Sequence, residues 1–328
     1  MRLLLTGGTG FFGKSLLRHW QQATLLGQVA PQVTVLSRDP KKFLARHPDF
    51  SGLPWLKWHQ GSILVPESLP ANSTFTHVLH AAADSTIGPQ LMPMQRYEQI
   101  VGGTRNLLDY AVRHRVQRFL LISSGGVYGP QPKNIDAIDE RYNGMADPLE
   151  PSNAYCVAKR CAEHLCALYQ QEYGIEALTA RCFSFVGPDL PFDAHFAIGN
   201  FILDAIASEK ITINGTGAPI RSYLDQRDLA LWLDVLMRVG RPGRAYNIGS
   251  PEAISILDLA DTVRLTLAPH KPVEVNALAS ADGPMLRYVP SISRIEREFG
   301  LLPRYGLQES IRFAARPLIN KGRLGLKV

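Results

Sequence analysis

The segment Thr6-Gly7-Gly8-Thr9-Gly10-Phe11-Phe12-Gly13 restricts the fold more than any other. It follows the apolar run Leu3-Leu4-Leu5 and precedes a stretch with helical spacing through Leu16, Leu17 and Trp20. A strand, a glycine turn and a helix in that order predict the opening of a βαβ unit. Glycines there permit a tight turn, a close backbone approach to a pyrophosphate, and a helix packed near its strand. The N–H groups of the first helical turn then face the phosphates. Gly7, Gly10, Phe11, Phe12 and Gly13 are therefore expected to bind a dinucleotide.

The same alternation continues as far as Arg181. Val33–Leu36, Val78-Leu79 ending at His80-Ala81-Ala82-Ala83, Phe119–Ser123 and Ala177–Arg181 read as strands, and stretches around 104–112 and 153–173 read as helices. This pattern predicts an α/β fold, a Rossmann-like doubly wound parallel sheet with ligands at the carboxyl ends of its strands. The segment 129–152 carries four prolines and reads as a long surface loop. Beyond about residue 187 the alternation stops. Helical patterns at 198–207, 229–239 and 256–267 and a short strand Ile211–Ile213 predict a smaller, irregular C-terminal substrate domain. The expected division gives 1–187 and part of 222–250 to the dinucleotide domain, and 188–221 with 251–328 to the substrate domain.

Hydrophobic residues make up 45% of the 328 and charged residues 20%, which excludes a disordered or fibrous chain. No apolar run is long enough to span a bilayer, and the N-terminus lacks a signal-peptide pattern. The expectation is a cytoplasmic protein without membrane insertion. An excess of 35 basic over 29 acidic residues suits an anionic ligand and does not by itself imply nucleic acid. The basic residues after Glu309 (Arg312, Arg316, Lys321, Arg323, Lys327) read as a solvated terminal segment. Cys156, Cys161, Cys166 and Cys182 form no metal-ligand or Cys-x-x-Cys spacing. They read as structural thiols, with neither a disulfide nor a metal expected.

Two further patterns carry chemistry. Where an acidic residue would bind the ribose of NAD, the second strand ends Leu36-Ser37-Arg38-Asp39. Ser37 and Arg38 suit a 2′-phosphate, which narrowly favours NADP(H) over NAD; Asp39 keeps NAD open. Tyr155 and Lys159 stand four apart in a helical stretch, and so on one helix face. A phenol beside an ammonium can exchange a proton nearer neutral pH, and the lysine can also hold the nicotinamide ribose. Ser124 can supply a hydroxyl to the reacting oxygen.

With these residues the chain resembles an extended short-chain dehydrogenase/reductase of the NAD-dependent epimerase/dehydratase family, which acts on nucleotide sugars. Thr6–Gly13 is similar to the family's cofactor loop, and His80-Ala81-Ala82-Ala83 to its segment near the nicotinamide ribose. Ser123-Ser-Gly-Gly-Val-Tyr-Gly129 resembles its catalytic strand, which implies Ser124 as the catalytic hydroxyl with Ser123 beside the cofactor. Asn153–Lys159 resembles its Tyr/Lys helix. By the same resemblance Asp84, Ser184, Asn200, Arg221 and Arg287 would contact substrate, the two arginines at a diphosphate. The resemblance also implies a homodimer formed through the helices at 104–114 and 153–173.

The chain departs from the family's pattern in places. Ser62 stands where an aspartate often contacts adenine, and Ile100 replaces an asparagine near the cofactor. Ser184 replaces another asparagine that bonds substrate. Gly125 and Gly126 stand where 4,6-dehydratases carry an Asp-Glu pair, so elimination of water is disfavoured unless Asp84, Glu140 or another carboxylate substitutes. The expected activity is hydride transfer at a hexose carbon, C4 first, by a 4-keto reductase or a 4-epimerase, nearly level. A dehydratase ranks behind them. A non-catalytic dinucleotide sensor or RNA-binding protein on the same fold is the alternative of another class.

Overall fold

The computed structural model describes residues 1–71, 74–83, 90–192, 196–276 and 286–323, with side chains to Asn320. The chain divides into two compact units, Met1–Gly129 with Met145–Cys182 and Ala230–Tyr246, and Pro130–Gly144 with Phe183–Leu229 and Asn247–Val328.

The first unit is built on a sheet whose strands are β1 (Arg2–Thr6), β2 (Gln32–Ser37), β3 (Leu56–Gln60), β4 (His77–His80), β5 (Arg118–Ser124) and β6 (Glu176–Cys182). Their order is β3-β2-β1-β4-β5-β6, all five pairs parallel, and the strand Ala245–Ile248 lies beyond β6. Leu3, Leu4 and Leu5 are wholly buried although successive side chains point to opposite faces. A sheet covered on both faces requires such an unbroken apolar run. On one face α3 (Pro93–Arg113) and α4 (Ala154–Tyr173) pack Leu107, Leu108, Ala158 and Ala162 against Val78, Phe119 and Leu121. Elsewhere in this unit α1 (Phe11–Leu25) buries Leu16, Leu17 and Trp20, and the Trp20 indole N–H donates to Asp234 Oδ1 at 2.9 Å.

Strand β3 went unseen in the sequence because Leu56-Lys-Trp-His-Gln holds no apolar run. It needs none, since it lies at a sheet edge with one buried residue, Leu56. Helix α3 also starts earlier than the pattern around 104–112 suggests, with Pro93 preset for its first turn. Helix α2 (Pro40–Arg46) was likewise not anticipated.

The winding direction reverses between β1 and β4, where α/β sheets bind ligands. Gly7 there has φ +72°, and a Cβ on it would stand 2.4 Å from the Ala81 carbonyl oxygen. A Cβ on Gly13 would stand 2.2 Å from Gly8 Cα. These glycines let the ends of β1, β4 and α1 converge. His80 fastens the same corner, with Nδ1 at 2.8 Å from Thr6 Oγ1 and Nε2 at 3.2 Å from Thr104 Oγ1. Thr104 spends its one proton on the Ile100 carbonyl at 2.6 Å, so Nε2 carries the imidazole hydrogen and Nδ1 accepts from Thr6.

The second unit begins with the loop Pro130–Gly144 and so divides the stretch 1–187 that the sequence suggested as one domain. Ile138 holds the loop there by bridging Pro290, while the Asn247 amide nitrogen donates to the Ile138 carbonyl at 2.8 Å. Three helices pack together: α5 (Ala197–Ala207), α7 (Ile256–Leu267) and α9 (Leu307–Arg323). Short strand pairs surround them, such as Ile220–Arg221 with Ile254–Ser255. Helix α6 (Gln226–Val239) begins in this unit, which also holds the short α8 (Ser293–Phe299). The basic terminal segment is thus not merely solvated. Ile311, Ala314 and Ala315 form a buried stripe on α9, with Arg312 and Arg316 on its exposed side. Among the described residues no helix is long and apolar enough to cross a membrane.

Two stability outcomes follow from this corner. Gly13→Ala is expected to lower the unfolding free energy by about 1–3 kcal/mol in urea titrations, since its methyl has no space. Burial, with a smaller push from Lys159, draws the His80 pKa down to about 3. The unfolded chain therefore takes up a proton near pH 6.5 that the folded chain refuses until about pH 3. Stability falls as pH drops through that window, and His80→Gln should flatten the fall by up to about 5 kcal/mol. Part of the slope should persist, because burial and Arg118 also lower His77, to about 4.

Candidate active site

Strand β5 ends at Ser124, and the next four residues form a tight 3-10 turn. Ser124 Oγ accepts from the Gly126 N–H at 3.1 Å and is hydrogen-bonded to the Tyr155 phenol. Tyr155 stands in the first turn of α4, half-buried, with Lys159 one turn further on. The Lys159 side chain runs under the helix, 4% exposed, and its Nζ donates to the Ile122 carbonyl at 2.8 Å and lies 6.0 Å from the Tyr155 ring centre. The expected catalytic residues Ser124, Tyr155 and Lys159 therefore gather at the carboxyl end of β5.

Burial dominates the electrostatics. It draws the Lys159 ammonium down to about 8, against the opposing pull of Cys182 and Glu163. It pushes the Tyr155 phenol up to about 12, while the Ser124 hydrogen bond and the Arg96 charge pull it back. The phenol is thus a neutral acid at physiological pH, ready to donate a proton, and it needs further positive charge nearby to act as a base.

Two neighbours, Arg96 and Glu163, escaped the sequence reading, and Cys156 stands there only as a structural thiol. The Arg96 guanidinium, from the start of α3, lies 4.3 Å from the Tyr155 ring centre. Cys156 Sγ would stand 2.8 Å from a Cβ on Gly126. Glu163, a further turn along α4, forms an ion pair with Arg181 at 2.7 Å, and Arg181 lies over the Tyr128 ring at 4.7 Å. No motif signals Arg96, because its partner is far along the chain. Glu163 continues the four-residue spacing of Tyr155 and Lys159, which could have been noticed.

The residues expected at the cofactor vary in what holds them. Ala81 donates its N–H to the Thr6 carbonyl at 3.1 Å, beside Gly7, and Ala82 and Ala83 pack on the apolar core. Gly10 precedes α1 with no side-chain cap, so the first helical turn keeps N–H groups suited to phosphate beside Phe11 and Phe12. Arg38 is exposed at the end of β2. Asp39 Oδ1 caps α2 by accepting from the Lys42 N–H at 2.9 Å, and Ser37 Oγ accepts from the Asp39 N–H at 3.3 Å. Ser62 Oγ accepts from the Leu64 N–H at 3.2 Å. The Ser123 hydroxyl donates to Glu163 at 2.6 Å. Ile100 is buried in the apolar core, so the position holds packing in place of a polar contact. The glycine corner, the uncapped α1 and the buried Lys159 together fit a nicotinamide dinucleotide.

In the second unit, Arg221 Nη1 donates to the Ile220 and Leu286 carbonyls, each at 2.9 Å. Arg287 forms an isolated backbone bridge with Ile220, and its Nε donates to the Asp136 carbonyl at 2.6 Å. The two arginines are thus brought together. Asn200 stands in the first turn of α5, and the Ser184 carbonyl accepts from Leu224 at 3.0 Å. Asp84 lies outside the described residues. Glu140 accepts from the Asn247 N–H at 2.9 Å and faces Arg294 at 3.7 Å, a structural role for the carboxylate.

The model of the NAD dependent epimerase/dehydratase family matches residues 3–249. The chain belongs to this family. It is accordingly an enzyme of the extended short-chain dehydrogenase/reductase type that depends on a nicotinamide dinucleotide. Among curated relatives it is 29% identical over 312 residues to UDP-glucuronic acid decarboxylase 6 of Arabidopsis thaliana, covering 95% of this chain and 87% of that one. It is 28% identical over 315 residues to a dTDP-glucose 4,6-dehydratase of Streptomyces griseus, covering 94% and 91%. A UDP-glucose 4-epimerase of Thermotoga maritima, solved with UDP-glucose, shares the fold at a TM-score of 0.81 and 20% identity, covering 98% and 99%.

The Glu163–Arg181 pair is 12% and 16% exposed, so removing one partner strands a buried charge. Glu163→Ala is expected to cost about 3 kcal/mol of unfolding free energy in chemical denaturation.

Proposed function

We propose that this enzyme binds a nucleoside diphospho-sugar and exchanges hydride with C4 of the hexose, as a 4-keto reductase or a 4-epimerase. The observation that carries the reading is the Tyr155 phenol, hydrogen-bonded to Ser124 with Lys159 buried one turn away. In reduction the neutral phenol protonates the oxygen at the carbon that receives hydride. In the oxidative half of an epimerisation the phenol must first be ionised, and the phenolate takes that proton. Ser124 orients the oxygen in both. A bound nicotinamide dinucleotide supplies or accepts the hydride.

Gly126 argues against elimination of water. A side chain there would meet Cys156 Sγ at 2.8 Å, so the turn has no room for a carboxylate unless the thiol moves. Nucleotide-sugar decarboxylases and dehydratases stand among the relatives, which supports a nucleoside diphospho-sugar as substrate. Arg38 supports NADP(H), since Asp39 is already engaged in capping α2. Arg221 and Arg287 are the arginines proposed for the diphosphate, where forked, charge-assisted pairing is favourable, with Asn200 and Ser184 as further substrate contacts. A homodimer through α3 and α4 belongs to the same proposal.

Mass spectrometry of dinucleotides and sugar nucleotides that copurify identifies the substrate pair. Retained NAD with interconversion of C4 epimers marks an epimerase, and consumption of added NADPH by a 4-keto sugar marks a reductase. Tyr155→Phe should lower kcat by at least about 100-fold while dinucleotide binding survives. Undiminished turnover would refute the acid–base role. Arg38→Ala should weaken NADPH about tenfold in calorimetric titrations and leave NADH nearly unchanged.

A further inference from the structure

Groups from four elements act on the phenol of Tyr155. Ser124 of β5 hydrogen-bonds it, Lys159 of α4 stands 6.0 Å from its ring centre, and Cys156 of α4 and Cys182 of β6 influence its charge. Arg96 comes from α3 and places its guanidinium over the ring face, 4.3 Å from the ring centre against 6.0 Å for the Lys159 ammonium. Lys159 is further committed by its bond to the Ile122 carbonyl. Among the described residues, the cation nearest the aromatic ring is therefore an arginine outside the Tyr-x-x-x-Lys motif.

We infer that Arg96 is a positioning residue for catalysis, a fixed cation seated on the Tyr155 ring that favours the ionised phenol. This rests on the acid–base role proposed for Tyr155. A cation over an aromatic face is attracted by the ring's electron density, and a phenolate ring is richer in that density than a phenol. The guanidinium thus binds the ionised form more strongly and eases loss of the proton. Its planar shape also stacks on the ring and holds the side chain's orientation. A guanidinium keeps its charge across the physiological pH range. Lys159, drawn down to about 8 by burial, loses its charge within the working range of many enzymes. The two cations accordingly divide the work that the motif alone assigns to the lysine. Lysine ties α4 to β5, and arginine supplies a constant field at the phenol.

The test reads ionisation directly and needs no substrate. Difluorotyrosine incorporated in place of Tyr155 brings the phenol's titration into a range that the folded protein tolerates, and fluorine NMR follows it. Arg96→Met should raise the midpoint by about one pH unit, a tenfold change in the ionisation constant. Arg96→Lys, which keeps a cation near the ring, should recover most of that shift. Arg96→Gln serves as a second neutral variant should the methionine variant fold poorly. A midpoint that is equal in the neutral and the lysine variants would overturn the inference, even with the Tyr155→Phe result in its favour. A raised midpoint with full turnover in Tyr155→Phe would instead leave the electrostatic inference standing and remove the catalytic reading.

Discussion

An ammonium almost sealed from water is held by a main-chain carbonyl beneath the proposed acid. Lys159 Nζ and the Ile122 oxygen join α4 to the middle of the sheet. Burying a charge is costly, and the cost appears as the depressed lysine pKa. The same lack of water raises the phenol. Burial alone would leave a weak base and a weaker acid side by side. What makes the pair usable is geometry, because a helical turn fixes Tyr155 and Lys159 on one face, while Ser124 fixes the phenolic oxygen.

That arrangement needs a rigid frame, and the frame comes from close packing at the sheet's switch point. Gly7, Gly13 and His80 bring the ends of β1 and β4 against α1 and α3 with no spare volume. Behind α4, Ser123, Glu163, Arg181 and Tyr128 form a second anchored network. Each buried polar group there has a partner, as low-dielectric packing demands. Ser123 thus joins β5 to α4 through its hydroxyl's bond to Glu163.

Much of the fold was legible because its signals are local. The apolar runs at Leu3–Leu5 and Phe119–Ile122 read as buried strands, and the spacing of Leu16, Leu17 and Trp20 read as a helix. Strand β3 was not legible, since a half-exposed edge strand needs no apolar run. Helix α9 was masked by its basic residues, which lie on the exposed face opposite a narrow buried stripe. The loop 130–144 could not be assigned to the second unit from sequence, because Ile138 joins it through backbone pairing with Pro290.

The sequence by itself determined the strand–helix order, the glycine turn and the four-residue spacing of Tyr155 and Lys159. These depend on neighbours in the chain, so residue type and interval suffice. Tertiary structure alone decided which cation lies on the phenol, which serine bonds it and which bonds Glu163, and that a side chain on Gly126 would press on the Cys156 thiol. Each of those contacts joins residues about 30 or more positions apart. Only the packing of helices on the sheet sets such distances, and burial then fixes the charges of the groups so enclosed.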